Sequence, residues 1–162
     1  PEQSYALLRQ LCTRYADIIE HYIPAQDSLV AGPLKIILSG RKPYQAVLQD
    51  SIQYMGLDGS PESLQDSLFS AWLMPRISMP YHRFMSWKGH RPIRPAELQI
   101  LKDFIGKVHK YDRKLRFWAL PENNKIWKLL LDEGIDWIQV DHLPRFQNFY
   151  KQYKDSIKHK HH

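Results

Sequence analysis

Short apolar runs, each closed by turn-forming residues and followed by residues at helical spacing, recur along this chain. That alternation restricts its possible folds more than any other feature. The runs are LKIILSG (34–40), SIQYMGLDGS (51–60), KLRFWAL (114–120) and DWIQV (136–140), with a further short strand predicted at Arg76–Met79. They are mostly continuous rather than alternating apolar and polar, the pattern of strands covered on both faces. Between them, helices are predicted over PYQAVLQDS (43–51), PAELQILKDFIGKVHKY (95–111) and NNKIWKLLLDEG (123–134). Helices are also expected over residues 2–22, around Leu64–Phe69, and from Pro144 to about Tyr153. Residues 23–33 and the proline-rich segment after Met79 read as loops. Covered strands joined by helices imply parallel pairing, hence an α/β fold. The 162 residues hold about four strand–helix units in one domain, whereas a complete (β/α)₈ barrel takes about 250 residues.

Composition narrows the function classes. Hydrophobic residues make up 43% and charged residues 25% of the chain, a globular balance. A single cysteine, Cys12, rules out an internal disulfide and a cysteine-based zinc site. The net charge of +6 is concentrated near the C-terminus and in KGHRPIRP (88–95). Neither segment is a basic helix face interleaved with aromatics, so specific nucleic-acid binding is not expected. Residues 1–153 read as the folded part, and residues 154–162, ending in KHKHH, read as a disordered tail or a tag remnant.

In parallel α/β folds, binding groups lie beyond the C-terminal ends of the strands. There the sequence offers Ser39, Gly40, Arg41 and Lys42, then Asp58 and Gly59, then Ser78 with Tyr81, His82 and Arg83. The later runs offer Arg116, Trp118 and Pro121, and finally Gln139, Asp141 and His142. Alternation along a strand puts Arg116 and Trp118 on one face, and Gln139 and Asp141 on one face. An Arg116–Asp141 contact is therefore predicted, either at a ligand site or as a structural ion pair. Trp118 fits a stacking wall or core packing, and Arg41 and Lys42 fit phosphate binding or solvated loop charge. Trp127, in register with Leu130 and Leu131, is core, and His109 reads as a surface residue. His82 and His142 have no partner at metal-ligand spacing. No glycine-rich phosphate loop, Gly-x-Ser-x-Gly elbow or His-Glu-x-x-His motif is present.

The segments ILSGRKP, LDG, RISMPYHRFMSWKG and LRFWALPENNKIWKLLLDEGIDWIQVDHLPRF occur in an order that resembles the second half of the PI-PLC-like phosphodiesterases. That superfamily includes glycerophosphodiester phosphodiesterases and phosphatidylinositol-specific phospholipase C. Its most specific part here is residues 115–146, and the wider match spans residues 1 to about 150. The resemblance implies the second half of a TIM (β/α)₈ barrel that cleaves phosphodiesters by general acid/base catalysis. It implies two histidines and a divalent metal ion, Ca or Mg, whose ligands lie in the family's first half and not in this chain. Residues 1–11 resemble the helix that follows the family's fourth strand.

On this resemblance Arg116, Trp118, Asp141, Ser39, Arg41 and Asp58 are the expected substrate contacts, and no catalytic residue falls within the chain. The expected partners are a phosphodiester small molecule or lipid headgroup, together with a missing N-terminal half or a second copy. The chain alone is expected to be inactive. Relatives of this type are often secreted or periplasmic, though nothing in the residues fixes the compartment. Two departures from the family pattern stand out: Ser39-Gly40-Arg41-Lys42-Pro43 where relatives often carry Ser-Gly-Asn-Arg-Pro, and Gln139-Val140-Asp141 where they often carry Thr-Asp. The alternative reading is a non-catalytic half-barrel that acts as a binding or assembly module, since unpaired strand edges invite association.

Overall fold

The first helix ends sooner than its apolar spacing predicts. Helix α1 spans Glu2–Arg14 and buries Tyr5 and Cys12, seven residues apart on one face. The Tyr15 and Ile18 amides then bond to Cys12 and Tyr15, the tighter pattern of turns. The chain next enters strand β1 (His21–Ile23), which pairs antiparallel with β2 (Ser28–Val30). Both lie in a stretch predicted as helix end and loop. A short 3₁₀ turn at Pro24–Gln26 joins them, and Asp27 closes it in the left-handed region at φ 45°.

The structure, a computed structural model, describes residues 2–158. It divides into two compact units, the first ending at Arg76 and the second beginning at Ile77. Each unit is α/β with parallel strands, as the alternation predicts.

In the first unit, strand β3 (Ile36–Leu38) pairs parallel with β4 (Met55–Gly59), with Ile36 opposite Met55 and Leu38 opposite Leu57. The crossover carries helix α2 (Tyr44–Leu48), which Pro43 precedes. All five residues of β4 are buried, whereas those of β3 are half-buried. Gly32 is required by packing: a Cβ there would stand 2.6 Å from the Glu20 nitrogen and the Ile19 carbonyl carbon. Trp72 stacks on Tyr22 with ring centroids 5.5 Å apart and lies under the Lys35 ammonium, its indole N–H buried without an acceptor. Around the predicted Leu64–Phe69 helix the chain instead forms a 3₁₀ segment, Pro61–Gln65.

Strand β5 (Arg76–Pro80) starts on the last residue of the first unit and runs into the second. There it lies beside β6 (Lys114–Trp118), which pairs parallel with β7 (Trp137–Ile138). The segment after β5, predicted as loop, holds the short helix α3 (Tyr81–Phe84). Helix α4 (Pro95–Lys110) buries Leu101, Ile105 and Val108. Phe117 of β6 meets Tyr81 edge-on and Phe84 at 5.6 Å, and Phe84 meets Phe104 of α4 at 4.7 Å. Helix α5 (Asn124–Asp132) starts where the Asn123 side chain accepts from the Lys125 amide. Trp127 of α5 is fully buried against Phe146 and Phe149 of helix α6 (Leu143–Lys158). That last helix continues five residues beyond the predicted boundary at 153, because Tyr153 packs on Phe149 and bonds to Asp132. The rest of the predicted tail lies outside the described residues.

Candidate functional site

A cavity of about 370 Å³ opens at the C-terminal end of β3, lined by Ser4, Tyr5, Leu8, Leu38, Ser39, Arg41 and Pro43. Two elements build it. One wall is the loop after β3, where Gly40 takes φ +73°, a conformation that costs little only without a side chain. That turn sets Ser39 and Arg41 on either side of it, both exposed at the rim. The other wall is the first two turns of α1, which contribute Ser4, Tyr5 and Leu8.

Arg41 has no hydrogen-bond or ion-pair partner among the described residues, whereas its neighbour Lys42 turns back toward the Gly40 carbonyl at 3.3 Å and lies over the Tyr44 ring. A guanidinium beside two serine hydroxyls, above an apolar floor of Leu8, Leu38 and Pro43, is a donor-rich concavity suited to an anion.

Behind the Tyr5 wall lies a charged cluster that no spacing in the sequence foretells. Asp50 receives two bonds from Arg9, Nε at 2.6 Å and Nη2 at 2.8 Å, and one from the Tyr5 hydroxyl at 2.8 Å. Its side chain is only 6% exposed. Burial alone would raise the Asp50 carboxyl, but the Arg9 and Tyr5 donors outweigh it and hold it below the usual carboxylate range. Burial and the bond to Asp50 push the Tyr5 hydroxyl well above the usual phenol range, so it stays protonated.

The predicted contacts are thus brought together only in part. Ser39 and Arg41 line one cavity, but Asp58, in the same unit, does not. Asp58 is buried in β4 and accepts from Arg76 Nε at 2.9 Å. In the second unit, Arg116 and Trp118 share a face of β6, opposite the buried Leu115 and Phe117. Trp118 is 40% exposed and so is not core, and Ala119 follows it in the left-handed region at φ 50°. The Arg116–Asp141 contact does not form: Arg116 donates to Gln139, and the Asp141 amide donates to Glu122 Oε1 at 3.0 Å. Strand β7 is only two residues long, so Gln139 reaches Arg116 before Asp141 can.

His109 is a surface residue, as expected, and lies 2.8 Å from Asp136 through Nε2. Asp136 also accepts from Lys114 Nζ at 3.1 Å and from the Leu115 amide at 2.9 Å.

The residues that sequence reasoning missed at the cavity are Ser4, Tyr5 and Leu8. Their one signal was the helical register of Tyr5 with Cys12, which marks a buried face but not what it borders. Among the described residues no group of three His, Cys, Asp or Glu side chains could hold a metal ion, and no helix is long and apolar enough to cross a membrane. No protein-family model, curated protein or solved structure matches the chain.

Proposed function

We propose that the chain is the second half of a (β/α)₈-type phosphoric diester hydrolase and that the cavity beyond β3 receives the phosphoryl group of its substrate, a glycerophosphodiester or a phosphoinositide headgroup. One observation carries the reading: an unpaired arginine and two serine hydroxyls face a cavity at the C-terminal end of a parallel strand. In α/β folds that end is where ligands bind. Parallel strands joined through helices in both units support the barrel-half assignment.

The role of these residues is binding. Arg41 neutralises a phosphoryl oxygen and the Ser4 and Ser39 hydroxyls donate to others, while no histidine or carboxylate lines the cavity to move a proton. The described side chains do not fit the Ca or Mg that the family resemblance implies, so no step through a metal is assigned to them. Acid/base groups and metal ligands would come from outside this chain, and hydrolysis by the chain alone is not expected.

The test is titration of the 162-residue chain with dimethyl phosphate, followed by amide chemical shifts, in native and Arg41→Ala forms. Loss of one charge-assisted contact of about 1.5–3 kcal/mol weakens binding roughly tenfold or more. Shifts at residues 38–43 that vanish in the variant support the reading. Absence of binding, or equal affinity in both forms, removes it.

A further inference from the structure

A second arginine stands one helical turn beyond the cavity wall and is prevented from serving it. Tyr5 and Arg9 are four residues apart on α1, so their side chains share a face. Tyr5 lines the cavity, and Arg9 is drawn away from it into a two-bond pair with Asp50. The same carboxylate takes the Tyr5 hydroxyl, so that donor too is unavailable to a ligand. The Asp50–Arg9 pair carries no net charge, and Arg41 is left as the one cation among the lining residues. Leu8, Leu38 and Pro43, which also line the cavity, offer nothing to a second negative charge.

We propose that Asp50 sets the charge selectivity of this cavity: by holding Arg9 in a neutral pair, it leaves a site matched to a singly charged phosphodiester and mismatched to a doubly charged phosphomonoester. This rests on the reading of the cavity as a phosphoryl site and deepens it. Asp50 is a positioning residue, since it touches Arg9 and Tyr5 rather than the ligand. The selectivity has a use in a diester hydrolase, whose product is a monoester: a site of unit charge releases the dianion it helps to form.

The experiment compares two probes on the full chain at pH 8, dimethyl phosphate, a monoanion, and methyl phosphate, which is a dianion above its second pKa of about 6. The native chain should bind dimethyl phosphate more tightly. In Asp50→Asn the amide no longer neutralises Arg9, and the freed guanidinium adds a second cation beside the wall. Methyl phosphate should then tighten by roughly fivefold while dimethyl phosphate changes by less than about twofold, the selective gain expected for one added charge near a protein surface. The double variant Arg9→Gln/Asp50→Asn should return to the native ratio. If D50N does not fold, Arg9→Gln serves instead. It leaves the Asp50 carboxylate unpaired and should weaken both probes, methyl phosphate the more. Binding that depends on Arg41 but keeps its native ratio in D50N, or in R9Q, overturns this inference alone. Failure of both probes to bind the native chain overturns it together with the phosphoryl reading.

Discussion

Asp50 in the first unit and Asp136 in the second are both shielded carboxylates that gather donors from separated parts of the chain, yet they hold different kinds of structure. Asp50 joins α1 to the segment after α2 through a two-bond arginine and a tyrosine, and its side chain is 6% exposed. Asp136 joins the end of α4 to the start of β6 through His109, Lys114 and the Leu115 amide, and it is 13% exposed. The charged partners differ less: Arg9 is 35% exposed, against 40% for His109 and 63% for Lys114, and it is the buried Tyr5 hydroxyl that has no counterpart at Asp136. A carboxylate held by a buried hydroxyl and a two-bond arginine is less shared with solvent than one held by a surface histidine and lysine. The first arrangement therefore shapes a cavity wall, and the second fastens the ends of two elements.

The largest test of that contrast is truncation. Asp50→Ala leaves the buried Tyr5 hydroxyl without its acceptor and removes the two-bond contact of the partly exposed Arg9, and about 3 kcal/mol of unfolding free energy should be lost in a urea titration. Asp136→Ala should cost less, about 2 kcal/mol, because its charged partners can turn to water. Equal losses would erase the distinction between the two carboxylates.

Acid sharpens it next. Both carboxyls sit below the usual range: in each case burial raises the value, while donors (Arg9 and Tyr5 for Asp50, chiefly the Leu115 amide and His109 for Asp136) lower it further. Each group binds its proton less readily folded than unfolded. The stability it supplies is present in full above its unfolded pKa of about 4 and is lost as pH falls through the lower, folded value. The urea midpoint of the native chain should fall steadily below about pH 4, and D50N should show a shallower decline. An acid limb of unchanged steepness would mean that Asp50 does not couple to folding.

The smallest effect is expected at the open end of the Asp136 cluster. His109→Gln should cost no more than about 0.5 kcal/mol; a loss above about 1.5 kcal/mol would show that this exposed contact is as consequential as the buried one.

The same contrast explains what could be read from the sequence. Strands β3 to β6 and helices α4 and α5 were legible because long apolar runs or a strong helical register specify them locally. The end of α1 was not, because Tyr15, Ile18 and Ile19 continue its spacing past the point where the chain turns. The β1–β2 hairpin was hidden by strands of three residues each, too short to show a period. At the site, Ser39 and Arg41 could be found because they close a strand. Ser4 and Tyr5 reach the same cavity from a helix more than thirty positions earlier, and Asp50 meets Arg9 across 41 positions. Only folding creates such neighbours. Register also misled: it placed Arg116 near Asp141, but β7 stops after Ile138 and Gln139 takes the contact.

The stacking of Trp72 on Tyr22 has an optical consequence. Of the five tryptophans, at positions 72, 87, 118, 127 and 137, only Trp72 belongs to the first unit. Its indole N–H is shut away from water, so its fluorescence should be blue-shifted while that unit is folded and red-shifted once it opens. The difference between the emission of the native chain and that of Trp72→Phe is therefore a spectrum of the first unit by itself, a built-in label that separates the melting of the cavity-bearing region from that of the aromatic core beyond it.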